Sequence, residues 1–253
     1  MSNDVWYLEY EIQKNRPGVL GGISSLIGIL SINILTINGI AHNRRGMLMK
    51  VDDPQKVEML AKLLNQMDSI NVTALRPPKV TDRLAIRHGQ FIQSDDDNQK
   101  IFRFTRNEIG LLVDFMGELF KKKGHQLIGI RGKPRVGKTE SVVASSVYAN
   151  KRWMVISSTL LKQTIRTRLH HQELSENQVY IIDGMVSTRA SDEHRFVLQE
   201  VFSLQATKVV EHPDVLMRTM DLSLKDFDYI IELRDDPNEE VIYEHTLSFE
   251  ESE

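Results

Sequence analysis

Gln126-Leu127-Ile128-Gly129-Ile130-Arg131-Gly132-Lys133-Pro134-Arg135-Val136-Gly137-Lys138-Thr139 is the stretch on which the reading of the chain turns. Leu127, Ile128 and Ile130 have the composition of a short buried strand, and Gly132 to Thr139 then match G-x-x-x-x-G-K-[ST] at every defined position. Glycines at both ends let the backbone turn tightly, so its N–H groups can point inward, and a helix expected over Lys138 to Ala149 adds positive potential from its N-terminus. The pattern predicts a phosphate-binding loop. Gly132, Arg135, Val136, Gly137, Lys138, Thr139 and Glu140 would line a polyphosphate, with Lys138 neutralising the β- and γ-phosphates and the Thr139 hydroxyl ligating Mg²⁺.

Strand and helix signals continue past the loop. Trp153 to Ser157 reads as a buried strand, Ser158 or Thr159 can cap a helix over Leu160 to His171, and Val179-Tyr180-Ile181-Ile182-Asp183 is a further apolar strand ending in a carboxylate. A strand buried on both faces has no use for an acid except at its C-terminal end, where the acid can hold a magnesium shell. A helix around Asp192 to Leu204, a strand segment at Lys208 to Val210, and strands at Tyr229 to Leu233 and Glu240 to Leu247 complete the layer. The loop at Gly132 to Thr139 and the Walker-B-like string Val179 to Asp183 resemble those of the P-loop nucleoside triphosphatases and kinases. The resemblance implies a P-loop α/β domain with a mainly parallel sheet and ATP and Mg²⁺ as cofactors. It further implies Lys138 and Asp183 as catalytic residues, and Thr139 and Asp183 as the metal site.

Departures from that pattern set limits on activity. Asp183 is followed by Gly184 rather than Glu, so the acid that orients water in many ATPases is missing from its usual place, and slow hydrolysis is expected. A kinase would often carry a base at the end of the second strand, which here reads Ser157-Ser158-Thr159; Glu140, Asp192 and Glu193 are substitutes no better than ordinary surface acids. Arg189, Arg195 and Arg218 are candidates for a transition-state arginine. Thr207-Lys208-Val209-Val210 lacks the acid that would pair with a guanine edge, which favours ATP over GTP.

The N-terminal part has a different rhythm. Val5 to Gln13 alternates as a half-buried strand, and Asn15-Arg16-Pro17-Gly18 is a turn before an apolar helix carrying Val19, Leu20, Ile23, Leu26, Ile27 and Leu30. Ser31 to Ile40 and Arg45 to Val51 are strands, Asp53-Pro54 opens a helix, and Ile70 to Leu75 is a last strand before Pro77-Pro78. The order βαββαβ predicts a ferredoxin-like unit. Asn15 to Leu20 with Ile23, then Ser31-Ile32-Asn33-Ile34 and Ile37, resemble the ACT domain. That resemblance implies a regulatory module that pairs with a second copy and holds an effector, often an amino acid, at Asn15, Arg16, Pro17, Gly18, Val19 and Leu20. Trp6, Leu8 and Tyr10 offer apolar area beyond one small domain's needs, which also points to a homodimer.

Lys79 to Arg103 is polar and lacks a sustained period, so it reads as a linker with a short strand at Leu84 to Ile86 or Phe91 to Ile92. Thr105 to Glu108 is a capping box ahead of a helix that ends at Lys121-Lys122-Lys123-Gly124. The expected organisation is an ACT-like domain over 1–78, a linker over 79–103 and a P-loop domain over 104–253, similar as a whole to an uncharacterised ACT-plus-P-loop family of Bacillus-type bacteria. With no cysteine, disulfides, thiol catalysis and Cys-based metal sites are excluded. Ser, Thr, Asn and Gly interrupt the uncharged run Val19 to Ala41, arguing against a membrane span, and the N-terminus has no signal-peptide pattern; a cytoplasmic location is expected. A net charge of −3 argues against coating nucleic acid. The basic helix with Lys162, Arg166, Arg168, His170 and His171 lacks interleaved aromatics, which favours a solvated face over a nucleic-acid surface. The expected function is an ATPase or nucleotide switch set by a small ligand or by dimerisation. A kinase of unknown acceptor and a non-catalytic nucleotide-binding interaction protein are the alternatives.

Overall fold

The computed structural model describes residues 4–94, 100–157, 174–186 and 192–239, at 186 and 192–195 by backbone alone. The chain is mixed α/β, with one antiparallel sheet and one mostly parallel sheet. It divides into two compact units, Met1–Ile92 and Gln93–Glu253. The expected helices and strands at Leu160 to His171 and Glu240 to Leu247 lie outside the described residues.

In the first unit β1 (Val5–Ile12), α1 (Val19–Ile29), β2 (Asn33–Gly39), β3 (Arg44–Lys50), α2 (Pro54–Leu64) and β4 (Ile70–Arg76) form a sheet of order β2-β3-β1-β4 with antiparallel pairings. Strand alternation divides the side chains between two faces. Leu8, Tyr10, Met47 and Met49 pack on Ile23 and Ile27 of α1 and Leu60 and Leu64 of α2. Trp6 packs against the same cluster, so the three apolar residues from which a dimer is expected are used inside the unit.

The other face is covered from a stretch expected to be linker. Val80–His88 is a helix, α3, whose Ala85 and Ile86 pack on Tyr7 and Leu48. The expected short strand at Leu84 to Ile86 is therefore helical. Three adjacent apolar residues carry no helical period, and the decisive signal is Asp82: its carboxylate accepts from the Lys79 backbone N–H at 2.6 Å and pairs with Arg76, fixing the first turn.

The second unit runs β5 (Gln93–Ser94), β6 (Ile101–Thr105), α4 (Ile109–Phe120), β7 (Gln126–Arg131), α5 (Lys138–Tyr148), β8 (Arg152–Ile156), β9 (Gln178–Asp183), α6 (Asp192–Ser203), β10 (Thr207–Glu211), α7 (Pro213–Met220) and β11 (Tyr229–Arg234). Its strands are ordered β5-β6-β11-β7-β10-β9-β8, parallel except for β5 against β6. β6 begins inside the expected linker: Phe102 and Phe104 are buried against Phe115 of α4, with ring centroids 4.6 and 5.5 Å away. Thr105 and Glu108 make the capping contacts expected of them. Leu127, Tyr180, Ile182, Val197, Val201, Val210 and Ile230 belong to one core cluster. Among the described residues no helix is long and apolar enough to cross a membrane; the run Val19 to Ala41 is divided between α1 and β2.

At the amino end of β10, Lys208 is fully buried, and its Nζ lies 2.8 Å from His125 Nδ1 and donates to the carbonyls of Phe202 and Leu204. Burial lowers its pKa to about 8, with Asp228 opposing. Because the ordinary value is 10.5, the unfolded chain binds more protons between pH about 8 and 10.5, and this group adds stability as pH rises through that window. The rise in unfolding temperature between those limits is expected to be larger in the parent than in Lys208→Met. Identical pH profiles for the two proteins would contradict the assignment.

Candidate functional site

β7 ends at Arg131, and Gly132 to Gly137 return the chain into α5. Gly132 and Gly137 have φ of 145° and 108°, and Arg135 between them has a φ of 65°. A side chain at Gly132 would collide with the Leu233 carbonyl of β11, to which a Cβ would approach within 2.3 Å. Val136 is buried and anchors the middle of the loop, whereas Lys133, Pro134 and Arg135 are exposed. The Lys138 ammonium is 6% exposed and donates to Gly132 O at 2.7 Å and Lys133 O at 2.9 Å, spanning the loop. No side chain caps the start of α5, and the Ser141 N–H donates to the Gly137 carbonyl at 3.0 Å.

The loop stands on a buried ionic base. Arg131 makes a two-pronged contact with Asp214, Nε to Oδ2 at 2.9 Å and Nη2 to Oδ1 at 2.6 Å. Its Nη1 lies 3.7 Å from Glu232, which also accepts from Arg103 and Arg234. Such a planar, two-pronged pairing fixes direction as well as charge. It holds the last residue before the loop.

The acids around the loop depart from the sequence reading. Thr139 Oγ1 donates to Glu211 Oε1 at 2.5 Å. Glu211 ends β10, which lies between β7 and β9, so Asp183 at the end of β9 is one strand farther from the loop. Asp183 Oδ1 accepts from the Met185 N–H at 3.0 Å, within a one-turn 3-10 helix at Gly184–Val186. Gly184 is required: a Cβ there would lie 2.4 Å from His212 O and 2.7 Å from Glu211 O. Glu211 was legible in principle, since Val209-Val210-Glu211 is an apolar run ending in an acid, the same signal that singled out Asp183.

The remaining candidates are scattered. Glu140 is exposed on the first turn of α5, and Arg218 is exposed on α7. Arg189 and the side chains of Asp192, Glu193 and Arg195 lie outside the described residues, as do Lys162, Arg166, Arg168, His170 and His171. Asn15, Arg16, Pro17, Gly18 and Leu20 are exposed and Val19 half-buried, with Gly18 at φ 90° before α1. Among the described residues no group of three or more His, Asp or Glu is placed to hold a metal by itself. A magnesium ion at Thr139 would therefore draw on the hydroxyl, one carboxylate and phosphate oxygens, the mixed set this hard cation takes beside substrate phosphates.

A family described as "Protein of unknown function (DUF3388)" matches residues 72–252. The chain is 60% identical over 241 residues to the uncharacterised protein YmfK of Bacillus subtilis strain 168, covering 95% of this chain and 90% of that protein. A phospho-2-dehydro-3-deoxyheptonate aldolase structure from Thermotoga maritima aligns with 82% of this chain and 69% of its own at 13% identity, with a TM-score of 0.22 that carries no argument about fold. The family match corrects the sequence-based assignments to ACT domains, to P-loop triphosphatases or kinases, and to an ACT-plus-P-loop family. It starts within β4 and crosses the boundary between the units, where those assignments divide the chain. What the loop does must rest on its own residues.

Proposed function

We propose that this chain, which belongs to the family described as "Protein of unknown function (DUF3388)", binds Mg·ATP on the loop Gly132 to Thr139 and acts as a nucleotide switch or slow ATPase. The observation that carries the reading is the Lys138 ammonium, buried at the carboxyl end of a parallel strand and held to the carbonyls of its own loop. A polyphosphate entering the loop would meet this ammonium as a charge-assisted hydrogen-bond donor. The glycine turns at Gly132 and Gly137, leading from β7 into the amino end of α5, support the approach of phosphate oxygens to the loop backbone and to the positive end of the helix. Magnesium, when bound, would neutralise charge on the phosphoryl oxygens.

The finer fold reading belongs to the same proposal. The order β2-β3-β1-β4 supports a ferredoxin-like first unit, and a glycine loop between β7 and α5 in a mostly parallel sheet supports a P-loop type of second unit. Slow turnover follows from Gly184, whose neighbours leave no room for an acid immediately after Asp183. A role for the first unit in setting the nucleotide state, through a small ligand or self-association, is supported by the exposed apolar side chains of Leu20, Ile29 and Leu35.

A single-turnover experiment with radiolabelled Mg·ATP tests the reading. Bound ATP is expected to persist, with phosphate released more slowly than about one per minute, as in switches that lack a completed catalytic set. Failure to bind ATP at millimolar concentration contradicts the site, and release within about a second contradicts the switch.

A further inference from the structure

We infer that Glu211, rather than Asp183, supplies the carboxylate charge that holds a divalent cation at this loop, an inference that rests on reading the loop as a phosphate site. A threonine hydroxyl has one proton and two acceptor lone pairs. Thr139 gives that proton to Glu211 Oε1, which leaves the lone pairs for a cation. Among the described residues no lysine or arginine forms an ion pair with Glu211, although it is only half exposed. A partly desolvated carboxylate of that kind gains most from a cation arriving beside it.

The backbone brings Glu211 there by topology. Its Cα partners are Ile130 on the loop-feeding strand and Asp183 on the far side. Asp183 is thus displaced by one further strand spacing, about 5 Å, and one of its oxygens is already committed to the Met185 N–H. His212, at φ 55°, and Pro213 turn the chain directly into α7. Gly184 packs against the Glu211 and His212 carbonyls, so the two strand ends hold each other in place.

The test uses the full chain, ADP and Mn²⁺. Mn²⁺ is titrated against the ADP-saturated protein by electron paramagnetic resonance, and ADP affinity is measured separately in EDTA, for the parent, Glu211→Gln and Asp183→Asn. Gln keeps an acceptor for Thr139 while removing the charge, and matching unfolding temperatures show that the fold is retained. Glu211→Gln is expected to weaken Mn²⁺ binding about tenfold or more. Its ADP affinity in EDTA should be unchanged or tighter, because a negative charge beside the phosphates is gone. Asp183→Asn is expected to change Mn²⁺ affinity by less than about threefold. Parental Mn²⁺ affinity in Glu211→Gln, or an equal or greater loss in Asp183→Asn, overturns the inference. A parent that binds no ADP in EDTA instead overturns the phosphate-site reading, and the inference falls with it.

Discussion

Lys138→Ala is expected to weaken Mg·ATP binding by about a hundredfold. The ammonium would make charge-assisted hydrogen bonds to phosphate, and losing such contacts costs about 3 kcal/mol in all, which converts to that factor. Its second role makes the loss harder to recover: Nζ ties the Gly132 and Lys133 carbonyls together, so alanine also releases the loop's shape. The chain should still fold, since the freed carbonyls can take water at a cost of about 1–2 kcal/mol. Calorimetric titration of the parent and variant, alongside thermal unfolding, separates the two effects. Equal affinities in a folded variant would show that Lys138 does not contact the ligand.

Gly132→Ala is expected to be the most damaging small substitution in the loop. The added methyl would meet the Leu233 carbonyl oxygen at 2.3 Å and Val136 Cγ1 at 3.1 Å, at a backbone φ of 145°. The 2.3 Å contact is with backbone of a central strand, which cannot swing aside as a flexible side chain would. Overpacking combined with a glycine-only conformation predicts a loss of about 3 kcal/mol in stability and loss of nucleotide binding. Gly110→Ala is the matched control, because nothing lies within 4 Å of a Cβ there and the residue sits in α4. That change should stabilise by about 0.5–1 kcal/mol through helix propensity. Urea denaturation of both variants provides the measurement, and a Gly132→Ala protein as stable as the parent would mean that the loop does not pass against β11 as described.

The loop was legible because its information is local. Gly132, Gly137, Lys138 and Thr139 encode turn, charge and hydroxyl within eight consecutive positions, and the structure places strand β7 and helix α5 on either side. Glu211 was not recognised because its importance depends on β10 being inserted between β7 and β9. Parallel strand order comes from long-range packing that a chain read in sequence does not display. α3 was missed for a related reason: Leu84, Ala85 and Ile86 are all buried, and a helix covering a sheet face through consecutive residues does not show the periodic stripe of a surface helix. Phe102 and Phe104 did alternate, yet the polar residues before them hid a strand whose neighbours are the two-residue β5 and β11, the latter more than a hundred positions later. The family correction has a similar basis. A glycine-lysine loop reports local chemistry, and that chemistry does not name an ancestry.

The most direct test of the central claim is a two-dimensional amide spectrum of the isotopically labelled chain titrated with Mg·ATP. The largest shifts are expected at the backbone N–H groups of Gly132, Lys133, Arg135 to Thr139 and Glu140, with smaller ones at Glu211 and Asp183, saturating at micromolar concentrations. An unchanged spectrum at millimolar Mg·ATP, or shifts that leave Gly132 to Glu140 untouched, would contradict it.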